Sequence, residues 1–235
     1  MSTLTVYPDA GTGATTVDGR TYHFDSLSWA TARAGAGTGN LASEASSASF
    51  GNTTDGGTTV YIIRSFYNFD TSALTSGASI SAATFSVYAT GASDQSETTN
   101  PSHPRIVGGT PAAVNTLANG DYTQTGSTLL SDSTMTLATF AASAAYRDFA
   151  LNATGIAAVN KTGVTTLVLR AKNDLDNTAP TVVSYAPSYW ADQAGTANDP
   201  ELVVTYTTGS TFVPKIIITM MAALVALGVI AAVLG

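Results

Sequence analysis

Two knots of oxygen-bearing side chains are the residues most able to do chemistry. Asn173, Asp174, Asp176 and Asn177 crowd one stretch, and Asp192, Asn198 and Asp199 crowd another a little further on. Hard oxygen donors at this density suit Ca2+, which takes roughly six to eight oxygens from loops, backbone carbonyls included. Asp174, Asp176, Asp192 and Asp199 are the candidate ligands. Asn and Asp also gather in turns because their side chains bond nearby backbone, so the pattern has a structural reading as well. Aromatic side chains offer a second chemistry. Tyr185, Tyr189 and Trp190 fall together beside Asp192, and Trp29 stands in another polar stretch. Flat rings stack on the faces of sugars while neighbouring polar groups bond the hydroxyls. The competing reading of each tryptophan is a place in the core.

Catalysis finds less support. His23 and His103 are the two histidines; they lack metal-ligand spacing, and no G-x-S-x-G elbow is present. The acidic residues form no pair that the sequence alone sets about a scissile bond. The expectation is a protein that is not an enzyme, with Ca2+ the one cofactor considered.

The elements that would position these residues are strands. Alternating or β-branched runs mark residues 3–7, 58–69, 79–89, 105–107, 146–151, 164–171, 182–185 and 201–207, and residues 154–160 read as a short helical turn. The run 79–89 alternates with one slip of register near Ala83. Gly, Asn, Asp and Pro mark residues 34–40, 51–57 and 91–104 as loops. No fixed-period repeat appears, which disfavours propellers and solenoids. Some 210 residues suffice for one large β-domain. The predicted fold class is all-β: an antiparallel jelly-roll-like sandwich over residues 1–208, a hinge at 209–212, and one hydrophobic α-helix over 213–235.

Composition narrows the partners. Charged residues make up 11% of the chain, the net charge is −7, and the nine basic residues are scattered singly. Nucleic acid is excluded, since phosphate backbones want clustered Lys and Arg. Cysteine is absent, so disulfides and thiolate metal sites are excluded. The first residues carry neither a basic nor an apolar leader region, so the protein is expected to reach its membrane without the usual secretion signal, or to have lost a leader.

After Lys215 the final 20 residues are uncharged and almost wholly apolar. A helix of about 20 residues spans a bilayer core of about 30 Å. Ala222, Ala226, Gly228 and Ala232 are small residues at helical spacing that would let two helices approach closely, so the tail is expected either in lipid or in a shared helical core.

Residues 64–89, RSFYNFDTSALTSGASISAATFSVYA, resemble the DNRLRE-type β-sandwich, a jelly roll related to carbohydrate-binding module family 96. Phe69, Asp70, Thr71, Ser72, Leu74, Gly77, Ala78, Ile80, Ser81, Ala82, Phe85 and Tyr88 match its "FDTS-L" and "GA-I–SA" pattern, while Thr75 stands where the family usually has proline. Residues 167–206, with LVLRAKND, TAP and ADQAGTANDPELVVTY, are similar to its closing strands. The resemblance covers about 65 residues. It implies an extracellular or virion-borne sandwich that binds polysaccharide or serves as a structural unit. The expected function is a non-catalytic structural or adhesive surface subunit of a virion or extracellular filament. It would be a homo-oligomer, membrane-associated through its tail. The alternative is a membrane-anchored carbohydrate-binding module whose partner is surface polysaccharide.

Overall fold

The computed structural model describes residues 1–11, 15–25, 28–55 and 59–208. Within them lie twelve strands: β1 (Ser2–Val6), β2 (Asp18–Asp25), β3 (Gly39–Leu41), β4 (Ser46–Asp55), β5 (Thr59–Asp70), β6 (Ser79–Thr90), β7 (Pro104–Gly109), β8 (Thr125–Leu129), β9 (Ala144–Ala150), β10 (Val164–Ala171), β11 (Ser184–Tyr189) and β12 (Glu201–Thr207). Four short helices join them: α1 (Trp29–Ala34), α2 (Leu137–Phe140), α3 (Ala153–Ala158) and α4 (Lys172–Asp176). Every strand pairing is antiparallel. The chain is all-β in class, as its sequence predicts. Among the described residues no helix is long and apolar enough to cross a membrane. The predicted hinge, the tail helix and its Ala222, Ala226, Gly228 and Ala232 lie outside the described residues.

Two strands organise the rest. The inner one, β5, is almost wholly buried: it pairs β2 along one edge, and along the other it passes from β4 (residues 59–64) to β10 (residues 65–70). Likewise β6 pairs β12 and then, at Ala89, β11 on one side, and β9 on the other. Alternation sends Tyr67, Phe69, Leu167, Leu169, Phe85 and Phe149 into one large apolar core, where Phe85 meets Tyr67 and Phe69 tilted or edge-on at 5.0 and 5.9 Å and stacks on Phe149 at 6.1 Å. The opposite face of β5 and β10 is also covered, by a smaller cluster of Phe66, Val168 and Val107 under Val17, Ala42 and Leu117. Burial on both faces explains why β5 and β10 read as continuous apolar runs.

Several expected boundaries hold closely, β10 and β12 among them. The slip in β6 falls two residues earlier than expected. Thr205 faces Ala82 but Tyr206 faces Ile80, so Ser81 is extruded and the buried set changes from Ile80 to Ala83, Phe85 and Val87. Residues 51–55, expected as loop, continue β4. Gly51 adopts φ +128°, and a Cβ there would stand 2.3 Å from the Ser184 carbonyl, so only glycine permits β11 to approach.

Loops are tied down by buried carboxylates. Glu97 accepts from the Thr99 (2.7 Å) and Asn100 (3.0 Å) amides with one oxygen, and from the Thr181 amide, the Thr181 hydroxyl (2.9 Å) and the Val182 amide (3.2 Å) with the other. Burial alone would raise its pKa, but these donors outweigh it and hold the carboxyl down at about 2. A depressed carboxylate stabilises the fold above its unfolded pKa and is lost as pH falls through its folded one. Glu97→Gln is therefore expected to remove stability near neutral pH and to flatten the acid limb between about pH 4.5 and 2, read by urea midpoints across that range.

Candidate functional site

A row of three aromatic rings and one arginine sits on β2 and β5. Their ladder is unbroken: Arg20 faces Ser65, Tyr22 faces Ile63 and Phe24 faces Tyr61. Period-2 alternation puts Arg20, Tyr22, Phe24 and Tyr61 on one side of the sheet and Thr21 and His23 on the other. The Tyr22 and Tyr61 rings meet at 5.3 Å and Phe24 and Tyr61 at 5.8 Å, both edge to face. The Arg20 guanidinium lies 5.5 Å from the Tyr22 centroid and 5.7 Å from that of Tyr61. One guanidinium nitrogen is fixed by the Ala48 carbonyl at 3.2 Å. Phe24 is 57% exposed, while Arg20, Tyr22 and Tyr61 are half-buried. Burial raises the Tyr61 phenol, with Arg20 pulling the other way. The Tyr22 ring rests on Gly39, where a Cβ would stand 2.2 Å from its Cζ and Oη. Such a row offers apolar ring surface and hydrogen-bond donors together, the mixture that sugar rings and peptide side chains both use.

Below this surface lies a charged core. Asp174 is wholly buried. It receives Arg64 Nε at 2.9 Å and Nη2 at 2.8 Å, Arg170 Nε and Nη2 at 2.8 Å, and has Arg33 Nε 3.5 Å away. Arg64 also stacks on Tyr122 at 3.9 Å and donates to the Tyr122 carbonyl; Arg170 donates to Gly126 and Arg33 to Leu175. Burial pushes the Asp174 carboxyl up, but the bonds and charges of Arg64 and Arg170 more than offset it and keep it ionised. The cluster bolts α1, α4 and the loop at Tyr122 onto β5 and β10.

Asp174 is thus no calcium ligand: three guanidinium groups surround it, and a metal ion there would meet positive charge. On the same helix Asp176 pairs with Lys172. The remaining expected ligands, Asp192 and Asp199, do share a loop. Asp192 accepts the Gly11 amide at 2.7 Å, and Asp199 accepts Gln193 Nε2 at 3.0 Å. Among the described residues, no three His, Cys, Asp or Glu side chains come together so as to hold a metal ion. The Asp199 loop instead walls a groove of about 660 Å³ with Tyr7, Asp9, Thr16, Asp70 and Gln193.

The four expected sugar-stacking residues are dispersed. Trp190 is fully buried and its Nε1 donates to Ser49 Oγ at 3.3 Å, so neither ring face meets solvent. Trp29 opens α1, packs on Val60, Ile62 and Tyr122, and donates to Asn177 Oδ1 at 3.1 Å. Tyr189 joins Tyr88 (5.9 Å) and, through it, Tyr146 in a separate half-exposed cluster on β6, β9 and β11. Tyr185 bridges to Asp94. Both histidines have structural partners: His23 Nδ1 bonds the Ala36 carbonyl at 2.6 Å, and His103 Nδ1 accepts the Leu137 amide at 3.1 Å at the start of α2. No family model matches the chain, and no curated protein matches it.

The Arg20 row had one signal in the sequence, the i, i+2, i+4 spacing of Arg20, Tyr22 and Phe24. Tyr61 joins it only through a pairing across about 40 residues.

Proposed function

We propose that this chain is a non-catalytic adhesive module displayed on the surface of a virion, filament or cell envelope. Its residues 1–208 form a two-layer jelly-roll sandwich that takes polysaccharide on the Arg20, Tyr22, Phe24 and Tyr61 row, and the apolar residues 213–235 hold it in a membrane or helical core. The observation that carries this reading is the row itself: an exposed phenylalanine and two tyrosines gathered round an arginine on a sheet face. The resemblance to the DNRLRE-type sandwich adds support, since its two blocks fall on β5 to β6 and on β10 to β12, the strands that organise the core.

The test is a glycan array probed with the full chain in detergent micelles. Binding to one polysaccharide class is expected, weakened about tenfold by Tyr61→Ala or Phe24→Ala, since a ring contact contributes about 1.4 kcal/mol. Tyr189→Ala, in the other aromatic cluster, is expected to leave it unchanged. No binding to any glycan, or binding indifferent to both row substitutions, would refute the assignment.

A structural-subunit reading is favoured by a different feature, the outer edge of β1, which no other strand pairs among the described residues.

A further inference from the structure

Sheet edges in monomeric proteins are ordinarily guarded by charge, proline, bulges or brevity, because their free N–H and C=O groups template another strand. Most edges of this fold carry such a guard. The edge strand β9 bears Arg147 and Asp148, β3 has three residues, and β8 meets β7 across a register shift. The exception among the described residues is β1. It pairs β12 in five consecutive positions without a bulge and contains neither charge nor proline. No hydrogen bond reaches its outer edge among those found in the described residues. Leu4 and Val6 pack against the main core yet remain half-exposed.

We propose that β1 pairs antiparallel with β1 of a second copy of this chain, about a two-fold axis through Leu4. The sequence of the strand is what selects a second copy. About Leu4, Thr3 meets the partner's Thr5, both exposed, and Leu4 meets its counterpart, both bordering the core. Thr opposite Thr and Leu opposite Leu are favourable cross-strand pairs, and no like charges oppose one another. A two-fold interface is self-complementary and closes, so pairing ends at a dimer rather than running on. It buries Leu4 and Val6 and satisfies the free edge of both copies. The interface is independent of the Arg20 row.

The chain has no cysteine, which makes register measurable by cross-linking the full chain in detergent. Size-tagged copies carrying Thr3→Cys and Thr5→Cys are mixed and mildly oxidised. Directly opposed residues have Cα atoms about 4.5–5.5 Å apart, within disulfide reach, while equivalent residues two positions out of register exceed about 7 Å. The mixture is expected to give mixed disulfide dimers at least tenfold faster than either variant alone. Leu4→Cys is expected to cross-link by itself, and adding Thr3→Lys with Thr5→Lys, both exposed in the monomer, is expected to slow that at least tenfold. Association through the apolar tail alone brings no such register preference. Equal rates for mixture and single variants, or Leu4→Cys cross-linking untouched by the two lysines, would overturn the proposal.

Discussion

Asp174→Ala is expected to cost about 3–5 kcal/mol, a large share of the roughly 5–15 kcal/mol that keeps an ordinary domain folded. The substitution leaves Arg64 and Arg170, both nearly buried, with no counter-charge beside the part-exposed Arg33. Repulsion among guanidinium groups then adds to the loss of three charge-assisted hydrogen bonds and the ion-pair contact of Arg170 Nη2. Asp174→Asn keeps the shape but turns an amide donor toward a guanidinium donor, so it is expected to fall close behind. Asp176→Ala provides the contrast on the same helix: its pair with Lys172 is half-exposed and is expected to shift stability by under about 1 kcal/mol. Urea midpoints with unchanged slope measure all three. An Asp174→Ala protein as stable as the parent would mean that the arginines find other partners.

The second large effect is a pH dependence set by Asp18. Its carboxyl is wholly buried, takes one hydrogen bond from the Ala191 amide at 3.0 Å, and leaves Oδ1 without a partner. Burial pushes it up to about 8, with Asp192 and Asp199 adding to the rise and the Ala191 amide opposing it. A carboxyl raised in the folded state holds its proton more tightly there than in the unfolded chain. Its contribution is full below the ordinary value of 3.8, declines as pH rises, and is gone above about 8. The parent is therefore expected to lose stability across that window, by at most about 1.4 kcal/mol per pH unit from this group. Asp18→Asn, uncharged at every pH, is expected to remove the slope and to be the more stable protein at pH 9. Glu97 and Asp174 act at the acid end, so the two trends share only the interval between 3.8 and 4.5. Equal slopes in parent and Asp18→Asn would place the ionisation elsewhere.

Legibility followed burial. Strands β5, β10 and β12 carry branched and aromatic residues in unbroken or alternating runs, and their limits could be read within a residue. The signal failed where a strand is built from turn-forming residues. Residues 46–55, SSASFGNTTD, hold β4 because β5 and β11 flank it on both edges, not through any preference of their own. Residues 18–25 mix Asp, Gly, Arg and His, and only the ladder to β5 shows why half of them are inside. The site suffered likewise. Asp174 and Asp176 looked like ligands because the arginines that engage Asp174 come from α1, β5 and β10. Trp190 looked like a platform because sequence does not tell a ring facing solvent from one facing Ser49.

The placing of β12 bears on how the molecule carries load. The chain leaves the sheet after Thr207, and β12 is held by β1 through five residue pairs and by β6 through seven. Antiparallel hydrogen bonds run perpendicular to their strands. A pull on the chain beyond β12, directed along the strand, therefore loads both ladders at once in shear rather than opening them one bond at a time. Resistance to such a pull is set by the height of the unfolding barrier, not by equilibrium stability. Under the proposed anchorage through residues 213–235, the strand nearest the attachment is the one flanked on both sides, and the domain would meet tension where its grip is shared between two neighbours.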